Sequence, residues 1–364
     1  MERRQIVAMS RKGEGEVLVT LVRAEGSSYR RTGARMLVGA GGSYAGTISG
    51  GCLEAEVVRK AAWKTRSGPV VDRYSTMFDD TAEIPYGLGC GGVLDLLLEP
   101  ARTVEFDALM TALEQSLDGR EVVVATWLPG RGRRLLRAVF SADGELRFAS
   151  EELRPEEIAA VDVSGLRAGD GVFVERIVCP QRLFVIGAGD DARPVVSMAA
   201  MLGWNVTVAD GRAQLARADR FPEAERVAVV ASASELDVRA RDAVVIMTHS
   251  YEQDREALAA MLALHAPPVY LGLLGAKHRS SLLVSEAAVM LGRSVGECCD
   301  RIYAPMGLDL GGDGAGAIAL AVVAEAHARV EGRLGASRRL TAEDVAENVE
   351  RGGASRYLQA QCAL

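Results

Sequence analysis

Two short turns set a cysteine among glycines. Ser49-Gly50-Gly51-Cys52 runs straight into a helical pattern, and Gly89-Cys90-Gly91-Gly92 runs into an apolar strand pattern. The helix dipole and free amide N–H groups lower the pKa of a thiol at a helix start, and the glycines leave room beside the sulfur. A thiolate there suits a nucleophile, a persulfide carrier or a soft-metal ligand. The plain alternative for both is a small core residue, because free cysteine is among the most buried types. Cys52, with its paired glycines and helix, is the candidate thiolate of the two. A third feature is the polar loop between Gly26 and Gly33, with Ser27, Ser28, Arg30 and Arg31 inside it and Arg35 just beyond. Guanidinium forks and hydroxyls suit a phosphate or carboxylate, against the plain reading of a solvated basic loop.

The second half carries a different constellation. Gly187-Ala188-Gly189-Asp190-Asp191-Ala192 follows the apolar run Leu183-Phe184-Val185-Ile186 and precedes a helical pattern, and Asp210 closes the next strand pattern. This is the dinucleotide fingerprint with Ala in its last place. Gly187 serves the tight turn, Gly189 the approach of backbone amides to a phosphate, and Asp210 the ribose hydroxyls. Asp190 and Asp191 oppose a phosphate unless cations or amides offset them. Two further strand ends add Thr248 and His249, then Gly275, Lys277, His278 and Arg279, whose basic groups suit a phosphate or simply face solvent. His249 is the one general acid or base a nicotinamide-dependent oxidoreductase would find here, and no Tyr-x-x-x-Lys pair stands near it.

The elements that position these residues follow from periodicity. Strand patterns at 16–24, 34–39, 43–48, 69–76 and 93–98, helices at 53–65 and 103–117, and strands at 121–128, 134–140, 145–148 and 171–178 predict an α+β first half built on hairpins. From Pro180 strands and helices alternate, which predicts a Rossmann-like doubly wound parallel sheet with a last, weak strand at 301–303. The domain expectation is 1–178, 179–331 and a helical tail at 332–364. With 42 Lys and Arg against 49 Asp and Glu, the net charge of −7 argues against a nucleic-acid partner. No apolar run is long enough for a membrane span, and Met1-Glu2-Arg3-Arg4-Gln5-Ile6 lacks a signal peptide's apolar core, so a cytoplasmic protein is expected. The remaining cysteines, Cys179, Cys298, Cys299 and Cys362, have no site-like context and are expected to be structural and reduced.

Several of these stretches together resemble the XdhC/CoxI family. Gly26 to Met36 is similar to its GSS-x-RR-x-GA-x-M signature, Gly46 to Glu54 to its G-x-I-x-GGC-x-E motif, and Gly87 to Gly92 to its second cysteine turn. The likeness continues through the Gly187 loop, Thr248-His249, Gly272 to Gly275 and Ala304 to Gly311. The resemblance implies an accessory factor for a xanthine dehydrogenase-type molybdenum hydroxylase, a chaperone rather than a turnover enzyme. Such a protein binds molybdenum cofactor, as molybdopterin or its cytidine dinucleotide form, assists its sulfuration and delivers it to the apoenzyme. It implies a homodimer and a cysteine desulfurase as partner. On that reading Arg30, Arg31 and Arg35 meet the cofactor's phosphate, and Cys52 or Cys90 meets molybdenum or carries sulfur. The Rossmann-like domain is left as a possible nucleotide site. The alternatives are an NAD(P)-dependent oxidoreductase using the Gly187 loop and a sulfurtransferase working through Cys52.

Overall fold

The computed structural model describes residues 1–26, 28–51, 53–75, 92–130 and 134–335. The chain divides into two compact units. The first takes Met1–Arg182 with Ala199–Val206 and Glu223–Glu225, and the second takes Leu183–Met198, Thr207–Pro222 and the chain from Arg226 on.

The first unit is an antiparallel α+β structure. In chain order its elements are α1 (Glu2–Arg11), β1 (Gly15–Glu25), β2 (Arg35–Gly39), β3 (Tyr44–Gly46), α2 (Glu54–Lys64), β4 (Val70–Ser75), β5 (Val93–Pro100), α3 (Val104–Leu117), β6 (Val122–Trp127), β7 (Leu136–Ser141), β8 (Leu146–Ala149), α4 (Pro155–Ala159) and β9 (Val172–Ile177). They form a five-stranded sheet in the order β3-β2-β1-β5-β4 and a four-stranded sheet in the order β8-β7-β6-β9. The period-two alternation of β1 decides what each face meets. Val17, Val19 and Leu21 pack with Val57 and Ala61 of α2. Leu18 faces the opposite way, in one cluster with Phe106 and Leu109 of α3 and Val122 and Val124 of β6.

Two ion pairs stand between the two sheets, and they run in opposite senses. Arg35 of β2 pairs with Glu175 of β9, and Arg137 of β7 pairs with Glu99 of β5 at 3.0 Å, both members of the second pair 1% exposed. Arg137 also donates to Thr126 Oγ1 and to the Glu105 carbonyl, so little of its guanidinium lacks an acceptor. Each sheet thus lends one arginine and one glutamate to the other.

The later elements are β10 (Arg182–Ile186), α5 (Ala192–Met201), β11 (Asn205–Asp210), β12 (Arg226–Val229), β13 (Ala243–Ile246), α6 (Tyr251–Ala263), β14 (Tyr270–Leu273), α7 (Lys277–Leu291), α8 (Val295–Cys299) and α9 (Gly314–Val330). The five strands lie in the order β12-β11-β10-β13-β14 with parallel pairing. The chain moves outward from β10 through β11 to β12, then returns to β13 on the far side of β10. The order therefore reverses between β10 and β13, the switch point at which doubly wound sheets take ligands. One face of the sheet buries Ile246 and Leu273 under Leu258, Leu262, Leu283 and Ala287 of α6 and α7.

The α+β and Rossmann-like architectures expected from periodicity are both present. Two local details differ. Helix α1 was not anticipated, because its apolar residues Ile6, Val7 and Met9 are a narrow stripe among charged neighbours. The weak strand at 301–303 is a single bridge, Gly272 to Tyr303. Among the described residues no helix is long and apolar enough to cross a membrane.

Candidate functional site

In the first unit the site is a pair of loops, and a glutamate organises one of them. Glu54, the first residue of α2, is 2% exposed. Its carboxylate accepts the amide N–H groups of Ile48, Ser49, Gly50, Gly51 and Leu53 at 2.8–3.2 Å, and the Ser49 hydroxyl as well. A run of backbone amides curled around an anion is a nest, and here the chain supplies its own anion. Burial works to raise this carboxyl's pKa, but the donors from Ser49 and the neighbouring amides outweigh it and bring the value down to about 2. Gly50 and Gly51 make the curl possible, with φ of 94° and 113° in the region L side chains avoid. The amides that a sequence reading would offer to a thiolate at position 52 are thus engaged by Glu54. Cys52 itself, like Ser27 and Cys90, lies outside the described residues.

The loop at 28–33 meets this turn through Tyr29. A Cβ on Gly50 would stand 2.7 Å from two ring carbons of Tyr29, so only glycine admits the ring there. Ser28 donates its hydroxyl to the Arg30 carbonyl at 2.7 Å. Arg30 forms a forked pair with Glu2 of α1, and Thr47 donates to the same carboxylate at 3.0 Å. Arg35 is buried, engaged by Glu175 and by the Gly33 carbonyl. Arg31 alone of the three arginines is exposed and forms no ion pair among the described residues.

In the second unit the loops after β10, β11, β13 and β14 converge at the carboxyl edge of the sheet. Gly187, at φ 119°, lies so close to the next loop that a Cβ would meet the Met247 carbonyl oxygen at 2.4 Å. Asp210 is 3% exposed. It accepts from the Ala188 and Arg212 amides and from two guanidinium nitrogens of Arg212, at 2.7–2.9 Å. Burial opposes its ionisation, yet Arg212 and these amides hold its carboxyl below the usual range. Four donors fill the acceptor capacity of one carboxylate, so a ribose diol would have to displace Arg212. The same guanidinium reaches the Thr248 carbonyl at 3.2 Å.

The remaining acids of this edge are also paired. Asp190 meets Arg220 at 2.8 Å and Asp191 meets His249 Nε2 at 2.7 Å. Asp254 accepts from the Thr248 amide and hydroxyl and from Arg279. His249 is held at φ 63°, uncommon for a residue with a side chain, and it overlies Gly189, whose Cβ would come 3.6 Å from the imidazole. Gly275, at φ 140°, lies under the Arg279 side chain. Lys277 opens α7 and has no ion-pair partner among the described residues. Beyond these loops, Glu325 of α9 accepts from the Tyr270 hydroxyl at 2.6 Å and the Gly307 amide at 2.8 Å, fixing the turn that follows Pro305. Among the described residues no group of His, Cys, Asp and Glu is placed to hold a metal ion.

The structure thus gathers Ser28, Arg30, Gly50 and Gly51 at one pair of loops and Gly187, Gly189, Asp210, Thr248, His249 and Gly275 at one sheet edge. Sequence reasoning gave no role to Glu2, Glu54, Glu175, Arg212 or Asp254. Glu54 had a local signal, an acid two residues after the Gly-Gly-Cys turn at a helix start. Arg212 follows Asp210 by two. Glu2 and Glu175 act on residues 28 and 140 positions away and carry no local signal.

A nest-bound glycine turn on an antiparallel unit, joined to a doubly wound unit with a Gly-x-Gly turn, defines a two-part class of protein. A model of the XdhC and CoxI family matches residues 9–75 and a model of the XdhC Rossmann domain matches residues 183–326, together more than half of the chain. The chain belongs to the XdhC/CoxI family. It is 28% identical to a Bacillus subtilis protein described as a probable xanthine dehydrogenase subunit, over 86% of this chain and 92% of that one. It is 29% identical to "Molybdenum cofactor insertion chaperone PaoD" of Escherichia coli, over 86% of this chain and 83% of that one. A crystal structure described as a xanthine dehydrogenase from Bacillus halodurans aligns with a TM-score of 0.76 at 27% identity, over 94% of this chain and 99% of the other.

Proposed function

We propose that this protein binds molybdenum cofactor and assists its sulfuration and insertion into a xanthine dehydrogenase-type molybdenum hydroxylase. The observation that carries the reading is the paired-loop site of the first unit. Glu54 fixes a turn without side chains at Gly50 and Gly51, and the neighbouring loop, which meets it through Tyr29, leaves Arg31 exposed and without an ion pair among the described residues. These residues fit the cofactor's chemistry: a guanidinium for its terminal phosphate, and bare backbone where a bulky group must approach. Bound, the cofactor brings a molybdenum centre held by a dithiolene, and the protein's part is to hold it and hand it on. Cys52, which follows Gly51 in the sequence, takes the thiol role on this reading, with Cys90 as second thiol. Arg30 and Arg35 serve this site indirectly, by fixing the loop through Glu2 and Glu175. The partners on this reading are the apoenzyme, a cysteine desulfurase and a second copy of the chain, in the cytoplasm. The named role of the Escherichia coli relative supports the reading.

The test is direct. Purified protein is mixed with released molybdenum cofactor, separated by gel filtration, and the protein peak assayed for molybdenum and for oxidised pterin fluorescence. Co-elution near one cofactor per chain, lost in Cys52→Ala and weakened in Arg31→Ala, is expected. Absence of both signals from the wild-type peak rejects the reading.

A second reading, an NAD(P)-dependent oxidoreductase, is favoured by the His249–Asp191 pair at the switch point and opposed by the engagement of Asp210 with Arg212. Saturable NADPH or NADH binding by the same protein, lost in His249→Ala, would move the assignment to it.

A further inference from the structure

The loop at 28–33 is pinned at Ser28, Arg30 and Gly33. Ser28 holds the Arg30 carbonyl, Arg30 is forked onto Glu2, and the Gly33 amide donates to the Leu21 carbonyl at 2.8 Å. Tyr29, between the first two pins, and Arg31, just after the second, are left over: both are exposed and neither makes a side-chain hydrogen bond among the described residues. Tyr29 is nonetheless not loose. One edge of its ring rests on the backbone of Gly50, where any Cβ would come within 2.7 Å, while 77% of the residue stays open to solvent. At the next residue, among the described residues and apart from its own chain neighbours, no atom lies within 4 Å of where a Cβ on Gly51 would stand.

An aromatic ring seated on a glycine turn, mostly uncovered, with an unpaired guanidinium two residues on, is a surface for a flat heteroaromatic ligand that carries an anionic ester. We propose that Tyr29 is the platform against which the pterin ring of the bound cofactor stacks, with Arg31 taking its phosphate; this rests on the functional reading above. Tyr29 is a positioning residue in this role. It recognises the ring and leaves the molybdenum end to the turn.

The test uses the full chain and a probe without metal or phosphate, a fluorescent oxidised pterin, followed by fluorescence quenching. Tyr29→Phe keeps the ring and is expected to bind the probe within about twofold of wild type. Tyr29→Leu keeps apolar bulk without a π face and is expected to weaken binding about tenfold or more, in line with stacking losses elsewhere. Arg31→Ala is expected to leave the phosphate-free probe unaffected while weakening retention of released cofactor. Tyr29→Leu stays folded because the side chain is exposed, and unchanged circular dichroism checks this. Equal probe binding by wild type and Tyr29→Leu overturns the inference, as does cofactor retention by wild type without pterin binding. Co-elution of cofactor with wild type and Tyr29→Leu alike would overturn it while the functional reading stands. Failure of the wild type to retain cofactor at all overturns both.

Discussion

A carboxylate buried at 2% exposure is stable as an anion only where donors surround it, and Glu54 has five amides and a hydroxyl. The sign of the linkage follows. Its carboxyl titrates near 4.5 in the unfolded chain and about 2 when folded, so its stabilisation is full above pH 4.5 and is lost as pH falls towards 2. The difference corresponds to about 3 kcal/mol at neutral pH. Glu54→Gln has one acceptor oxygen for six donors and should be destabilised at pH 7 by that order. The gap between wild type and variant should narrow by about 2 kcal/mol between pH 7 and pH 3. Urea titrations at both pH values measure it, and a constant gap would remove the charge from the explanation. The arginines show what is legible at this scale. Their type and loop were readable from the sequence, but which guanidinium remains unpaired was not. That depends on Glu2 and Glu175, which reach Arg30 and Arg35 only through the tertiary fold.

At the scale of elements, glycine and buried charge set the geometry for different reasons. Gly187 is required twice over, by its φ of 119° and by the Met247 carbonyl 2.4 Å from any Cβ. Gly144 shares the first demand, at φ 93°, but among the described residues a Cβ there would meet nothing within 4 Å beyond its own chain neighbours. Gly144→Ala should therefore cost only the backbone term, about 1 kcal/mol, and Gly187→Ala about 3 kcal/mol or more. Equal losses in thermal or urea unfolding would show that the close approach of the β10 and β13 loops carries no energy. Between the two antiparallel sheets the buried Glu99–Arg137 pair makes a different prediction. Arg137→Met leaves a glutamate charge stranded at 1% exposure and should cost about 3–5 kcal/mol, whereas Arg137→Met with Glu99→Leu should recover most of it. A double-mutant cycle with no coupling would mean that each side chain is held by its other partners alone. Strands and helices were mostly readable because apolar periodicity of two or near 3.6 survives in a local window. Helix α1 escaped because its buried residues Ile6, Val7 and Met9 are confined to one short stretch among charged neighbours, and the buried ion pairs escaped because a lone charged residue in an apolar strand does not name its partner.

At the scale of the whole molecule, both architectures were readable because their chain grammars differ, hairpins first and then alternating strands and helices. What a linear reading cannot express is that the first compact unit also takes Ala199–Val206 and Glu223–Glu225 from later in the chain. The proposed ligand site falls wholly in the first unit, and this has a thermodynamic consequence. A ligand that binds one native unit stabilises that unit by RT ln(1 + [L]/Kd), about 2.7 kcal/mol at a hundredfold excess over Kd. Glu54→Gln marks the unfolding of the first unit and Gly187→Ala that of the second, since each acts inside its own unit. Calorimetry of wild type and the two variants assigns the transitions. Released cofactor should then raise the transition that Glu54→Gln lowers and leave in place the one that Gly187→Ala lowers. A shift confined to the second transition would move the site to the sheet edge of the Rossmann-like unit, where Asp210, Thr248 and His249 stand. A single transition, lowered by either substitution and raised as a whole by cofactor, would mean that the two units unfold together, so that a ligand held by one stabilises both.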